Sequence, residues 1–223
     1  MPAHDFAAAR ANMVNSQVRP TDVTDYAIID AMMEVPRERF VPADRRFAAY
    51  IDEDIEVASG EGARRYLMEP SPFAKLIQLA DIGPNDTVLE IGCNTGYSTA
   101  VLARIASSII AIESDAELAA FATEALNELA VDNAAVVEGK LEAGYAKEAP
   151  YDVIVIGGAV DEVPQAIIDQ LAERGRLVAV VGRGLSAQAR LFLREDGIVS
   201  SRTAFNAAVP PLPGFEKAAS FVF

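Results

Sequence analysis

The chain of 223 residues holds one cysteine, one histidine and no tryptophan. A single cysteine, Cys93, admits no internal disulfide. Together with His4 it falls short of the three or four nitrogen and sulfur ligands that a zinc site needs, so metal chemistry built on thiolates and imidazoles is excluded. A catalytic triad is not expected either, because the one histidine, His4, lies near the terminus and reads as a surface residue. Positive charge is scarce as well. Lysine and arginine number 19 against 33 aspartates and glutamates, a formal net charge of −14. Such a surface repels a phosphate backbone instead of releasing its counterions, and nucleic acid is not an expected partner. Long apolar runs are missing: those at 153–160 and 177–182 stop far short of the roughly 20 residues that cross a bilayer. The first fourteen residues have no basic start followed by an apolar stretch, since Asp5, Arg10 and Asn12 interrupt them. No membrane span is expected and a cytoplasmic location is, with low cysteine usage in weak support.

What is present is the composition of a globular protein, 51% apolar and 23% charged. A chain this long removes roughly 70% of its unfolded surface from water and needs no disulfide or metal staple. Its character changes near residue 84. Before that point helical patterns dominate, one with Tyr26, Ile28, Ile29, Met32 and Met33 on a face that Pro36 closes, another over 70–80. Between them the acidic run 52–56 and Ser59-Gly-Glu-Gly62 read as one long charged loop, of a length uncommon unless functional. From 84 onward short apolar runs at 87–91, 109–112, 134–137, 153–156 and 177–181 alternate with helical patterns at 98–106, 116–129 and 163–171. That series predicts an α/β fold, a Rossmann-like doubly wound and mainly parallel sheet. Ser114-x-x-Glu117 matches a capping box for the helix that follows it. Runs at 191–193 and 220–223, around the turn-rich Pro210-Pro-Leu-Pro-Gly214, predict an antiparallel C-terminal edge. The expected division is a helical N-terminal segment, 1–83, and a sheet domain, 84–223.

In Val88-Leu-Glu-Ile-Gly-Cys-Asn-Thr-Gly96 an apolar strand runs into a glycine loop and then a helix, the place where open parallel sheets bind ligands. The spacing is neither that of dinucleotide sites nor that of phosphate-binding loops with their lysine. Charge decides between ligands: Glu90 precedes Gly92 by two residues and the loop holds no lysine or arginine. A carboxylate there disfavours a pyrophosphate and suits a ligand bearing an ammonium and a sulfonium. Glu113, at the end of the next strand, has the position and chemistry to accept two ribose hydroxyls; the alternative is an acid that caps the following helix. Cys93 sits where a thiolate is favoured, yet reads more simply as a small side chain in a tight loop. Asp25, Asp30 and Glu34 read as a solvated helix face.

The 88–96 loop with Glu113 resembles the motifs of class I S-adenosylmethionine-dependent methyltransferases. That resemblance implies a methionine end held by Glu90, Gly92, Cys93, Asn94, Gly96 and Tyr97 and a ribose held by Glu113. It also implies an adenine near Lys140 and Leu141, where such enzymes usually carry an acid that this chain replaces with Lys140, and a methyl acceptor admitted past Gly157-Gly158, whose alternative is a plain turn. Val35-Pro-Arg-Glu-Arg-Phe-Val-Pro42, preceded by a helix, resembles the N-terminal region of the protein L-isoaspartyl O-methyltransferases, and the likeness continues through 151–156, 175–178 and Gly182. It implies methyl transfer to a carboxylate of isoaspartyl residues in damaged proteins, with S-adenosylhomocysteine as the second product, no metal, and a protein or peptide substrate. The family positions its acceptor with Gln-Thr-Ile-Ser shortly before a proline. Counted back from Pro70, the matching residues here are Arg65, Tyr66, Leu67 and Met68, so Met68 stands at the serine position, where a thioether cannot donate a hydrogen bond. Arg64 and Arg65 are then candidates to clamp an acceptor carboxylate, Tyr66 to donate or stack, and Met68 to line an apolar floor. Transfer to a different small-molecule or protein acceptor, and a non-enzymatic module that binds S-adenosylmethionine, are the competing readings. A homodimer is compatible with the pattern.

Overall fold

The computed structural model describes residues 5–58 and 64–217. His4, the expected strand at 220–223 and all of Ser59–Gly62 lie outside them. The chain opens with α1 (Phe6–Met13), which continues through a π turn, Val14–Val18, and α2 (Tyr26–Glu34). Asp25 caps α2 by accepting from the Ala27 and Ile28 N–H groups at 2.8 and 3.4 Å. Two short strands follow, β1 (Ile55–Ala58) and β2 (Arg65–Leu67), paired antiparallel with Ile55 opposite Leu67 and Glu56 opposite Tyr66. Part of the stretch expected as one long loop, Ile55–Ala58, is therefore a strand. Its partner β2 alternates: Arg65 and Leu67 are buried with half-buried Tyr66 between them, a period-two pattern that charged neighbours hide in the sequence. Next comes α3 (Pro70–Ala80), with Pro70 in its first turn and Asp81 in the left-handed conformation at its end.

The main sheet then forms from β3 (Thr87–Ile91), β4 (Ser108–Glu113), β5 (Ala134–Glu138), β6 (Tyr151–Val160), β7 (Leu171–Val181), β8 (Gln188–Glu195) and β9 (Ile198–Asn206). Its order is β5-β4-β3-β6-β7-β8-β9. The first five of these are parallel to their neighbours, and β8 and β9 add antiparallel at the edge. The parallel α/β sheet and its antiparallel edge agree with the sequence pattern, although β9 occupies 198–206, a stretch not expected as a strand. Connecting helices are α4 (Tyr97–Leu102), α5 (Ala116–Glu128) and α6 (Gln165–Ile168).

Three local expectations are corrected. The cap of α5 is Asp115, whose carboxylate accepts from the Glu117 and Leu118 N–H groups at 2.9 and 3.1 Å. Ser114 stands one residue too early, and its own N–H goes to Glu113. α4 ends at Leu102, where the chain tightens: the Arg104 and Ile105 N–H groups donate to the Val101 and Leu102 carbonyls at 3.1 and 2.9 Å. α6 is a single turn because buried Gln170 ends it, donating to the Ala166 and Ala143 carbonyls at 2.8 Å and accepting from the Tyr145 N–H at 2.7 Å.

Strands buried on both faces read as continuous apolar runs, and here they divide by parity into two cores. Val88, Ile109, Ala111, Val153, Val155, Val178 and Val180 join one cluster that also takes in α1 to α5 and the 35–49 segment. Leu89, Ile91, Ile112, Ile154, Ile156, Leu177 and Ala179 join another under Ile167, Leu212 and Phe215. Parity puts Glu90 on the face of Val88 and Glu113 on the face of Ile109 and Ala111. Because Glu90 pairs with Ala111, the two carboxylates sit on one face of neighbouring strands at their carboxyl ends.

Candidate active site

The sheet reverses its order at β3, with β4 and β5 on one side and β6 and β7 on the other. A crevice forms outside the carboxyl ends of the strands at such a switch point. Its floor is the loop after β3. Gly92, Asn94 and Gly96 all have positive φ, at 83°, 61° and 92°, a run that brings the Gly92 and Cys93 N–H groups onto the Ile112 carbonyl at 2.8 and 3.1 Å. On the far side, Gly157 lies inside β6, at an irregularity between Val155 and Ala159, so the Gly157-Gly158 pair is a bulged strand and not a turn. A Cβ at Gly157 would stand 2.9 Å from the Gly92 carbonyl oxygen, which is why no larger residue fits between the ends of β3 and β6. The segment after β9 returns over this end: the Ala159 N–H donates to Pro210 and the Leu212 N–H to Ala159, each at 2.9 Å.

Glu90, Gly92, Asn94, Tyr97 and Gly157 wall one cavity together with Tyr66, Leu67 and Met68 from the side of β2. Its volume is about 20 Å³. Glu90 is fully buried there. Thr99 donates its hydroxyl to Oε2 at 2.6 Å, while Oε1 is buried without a partner. Burial, with the Glu113 charge adding to it against the help of Ser98 and Thr99, pushes the Glu90 carboxyl up to about 7. Tyr97 packs its ring 4.7 Å beneath the Arg37 guanidinium.

Glu113 is equally buried and differently served. The Asn94, Ser114 and Asp115 N–H groups donate to it at 2.9, 2.8 and 3.0 Å. Arg65 of β2 meets it with two nitrogens, Nη2 to Oε2 at 2.7 Å and Nη1 to Oε1. So the carboxylate does serve the turn into α5, the alternative role read from the sequence, and it also holds a guanidinium. Arg65, expected as a clamp for an acceptor, is buried on Glu113 in this arrangement, whereas Arg64 is exposed.

The remaining candidates separate from this cavity. Cys93 is buried, and burial followed by the charges of Glu90 and Glu113 pushes its thiol well up, so it is a packing residue and not a thiolate. Gly96 serves helix packing, since a Cβ there would stand 3.1 Å from that of Ala122 on α5. Exposed Lys140 and buried Leu141 border a second cavity, of about 430 Å³, with Ser114, Glu138, Gly139 and Glu142. Among the described residues no group of three or more His, Cys, Asp and Glu side chains is placed to hold a metal ion, and no helix is long and apolar enough to cross a membrane.

One residue of the site had no role in the sequence reading. Arg37 is fully buried, donating from Nε to the Ala49 carbonyl at 2.9 Å and from Nη2 to the Met68 carbonyl at 2.7 Å. It ties the end of β2 to the 35–42 element. The signal was an arginine inside an otherwise apolar, proline-flanked motif, a residue type that is buried only when paired.

The family model for protein-L-isoaspartate(D-aspartate) O-methyltransferase matches residues 9–214. The chain belongs to this family. A Koribacter versatilis protein-L-isoaspartate O-methyltransferase is 39% identical over 177 residues, 79% of this chain and 78% of that protein. The Methanoculleus marisnigri protein of the same name is 34% identical over 214 residues, 96% of each chain. Among solved structures, a protein-L-isoaspartate O-methyltransferase superposes with a TM-score of 0.82 at 26% identity, covering 92% of this chain and 66% of the other. A Plasmodium falciparum protein described as a member of the family, solved in complex with S-adenosyl-L-homocysteine, shares the fold with a TM-score of 0.73 at 18% identity over 92% of this chain and 96% of that one. β2 and the 88–96 loop are in contact: Asn94 Nδ2 donates to the Tyr66 carbonyl at 2.6 Å.

Proposed function

We infer that the chain transfers the methyl group of S-adenosylmethionine to a carboxylate, in the first instance that of an isoaspartyl residue in a damaged protein. The observation that carries this reading is the pair of buried carboxylates, Glu90 and Glu113, side by side at the carboxyl ends of β3 and β4, beneath the strand that carries the acceptor segment.

The donor set suits the cofactor. Glu90 Oε1 is a buried acceptor without a partner, facing a loop free of lysine and arginine, as an ammonium beside a sulfonium requires. Gly92 and Asn94 would line the methionine portion and Glu113 would accept the ribose hydroxyls. The cavity bordered by Ser114, Lys140 and Leu141 would take the adenine, with backbone groups in place of the acid that Lys140 replaces. When bound, S-adenosylmethionine supplies a methyl carbon already activated by its sulfonium.

The acceptor carboxylate is ionised at neutral pH, so no residue of the chain has to remove a proton from it. What is left to the protein is alignment and the exclusion of water. β2 is built for both. Arg37 fixes the Met68 carbonyl, Asn94 fixes the Tyr66 carbonyl, and Leu67 and Met68 present an apolar surface over Glu90. A second reading, transfer to another acceptor, is favoured by one observation: Met68 is buried at the serine position of the family and offers no hydroxyl.

The test is methyl transfer from labelled S-adenosylmethionine to an isoaspartyl peptide, its aspartyl twin and a no-acceptor control. Transfer to the isoaspartyl peptide alone is expected. Cofactor binding with no transfer to either peptide would move the assignment to the second reading.

A further inference from the structure

The following rests on the cofactor reading above. β2 places a cation where the ribose hydroxyls are expected. Arg65 and Glu113 form a two-pronged ion pair whose side chains are 3% and 0% exposed. A carboxylate offers about four lone-pair sites. The Asn94, Ser114 and Asp115 N–H groups and the two guanidinium nitrogens make five donors, so no acceptor site is left for a further hydroxyl. The strand is fastened again one residue on, at the Tyr66 carbonyl, and once more at the Met68 carbonyl. In front of Glu90, Leu67 and Met68 narrow the space to a small cavity of about 20 Å³.

We propose that β2 is a built-in plug of the cofactor crevice, in which Arg65 competes with the cofactor for Glu113, so that binding requires β2 to lift. The residue type supports this. At the same place the family segment carries glutamine, with no charge and one amide group to donate, whereas a guanidinium matches a carboxylate with two parallel hydrogen bonds in a site water does not reach. A plug of this kind lowers the apparent affinity by the fraction of molecules that stand open, and removing it returns that factor.

The test is calorimetric titration of the full chain with S-adenosyl-L-homocysteine, comparing the parent with Arg65→Gln and Arg65→Lys. Arg65→Gln keeps a donor for Glu113, and it is expected to bind at least tenfold more tightly. Arg65→Lys keeps the charge but loses the two-pronged geometry, and it is expected to fall between. If Arg65→Gln does not fold, Arg65→Lys decides alone by the direction of its shift. In stopped-flow tyrosine fluorescence the observed rate is expected to saturate with ligand concentration in the parent, as opening becomes limiting, and to stay linear in Arg65→Gln. Measurable binding that is equal or weaker in the variants overturns the plug and leaves the cofactor reading intact. No binding by any of the chains overturns both.

Discussion

Glu90 and Glu113 lie on one face of adjacent strands, both fully buried, and their surroundings are opposites. Glu113, at the end of β4, meets three backbone N–H groups and a guanidinium. Glu90, inside β3, meets the Thr99 hydroxyl at 2.6 Å, with Ser98 beside it, and has no backbone N–H partner for Oε1. The difference teaches that depth does not set the state of a buried acid. A carboxylate at a strand end can draw on the free N–H groups of the turn that follows, whereas one inside a strand has its backbone neighbours committed to the sheet. The well-served acid is fit to anchor structure, and the under-served one waits for a cation.

The largest effect that sharpens this comparison is Glu113→Ala. It strands the Arg65 guanidinium without a partner and should cost about 3–5 kcal/mol in urea denaturation. Arg65→Ala should cost less, because Glu113 keeps its three backbone donors; the reverse order would break the comparison.

Next is Glu90→Gln. The folded state raises this carboxyl from its ordinary range to about 7, so the native protein holds a proton that the unfolded chain has released. Stability is then highest below the unfolded pKa and falls as pH rises through the folded one, by about 3 kcal/mol in all. Glu90→Gln should remove that fall between about pH 4.5 and 7. Glu69, raised to about 7 by burial and then by Asp52, titrates in the same window in both chains, so the quantity to read is the difference between their two pH profiles. Superimposable profiles would deny Glu90 its raised pKa.

The smallest effect concerns the ligand. If Glu90 receives an ammonium, only its ionised form binds well, and affinity for S-adenosyl-L-homocysteine should rise about tenfold from pH 6 to pH 8 by proton linkage. Calorimetry on Glu90→Gln should find that rise gone.

Much of the fold was legible because buried parallel strands announce themselves: 87–91, 109–112 and 153–156 are apolar on both parities, and the sheet needs them so. Glu90, Gly92 and Glu113 were legible because charge is conspicuous in such runs. The β1–β2 pair was not. Its period-two pattern is carried partly by Arg65, whose burial depends on a carboxylate 48 residues away. The cap of α5 was misplaced for a related reason, since Ser114 and Asp115 are both good caps, and the Ser114 hydroxyl turns to Glu113 while the Asp115 carboxylate reaches the Glu117 and Leu118 N–H groups.

By itself, then, the sequence determined the α/β architecture, the glycine loop and the two acids beside it, because these follow from local conformational freedom and from apolar periodicity along single segments. Only the tertiary structure decided what those acids touch: that Glu90 keeps a bare oxygen, that Glu113 holds Arg65, and that β2 lies against the loop after β3. Side-chain pairing in a dry interior is decided by which groups distant segments bring within about 3 Å of one another, and no pattern within one segment encodes that.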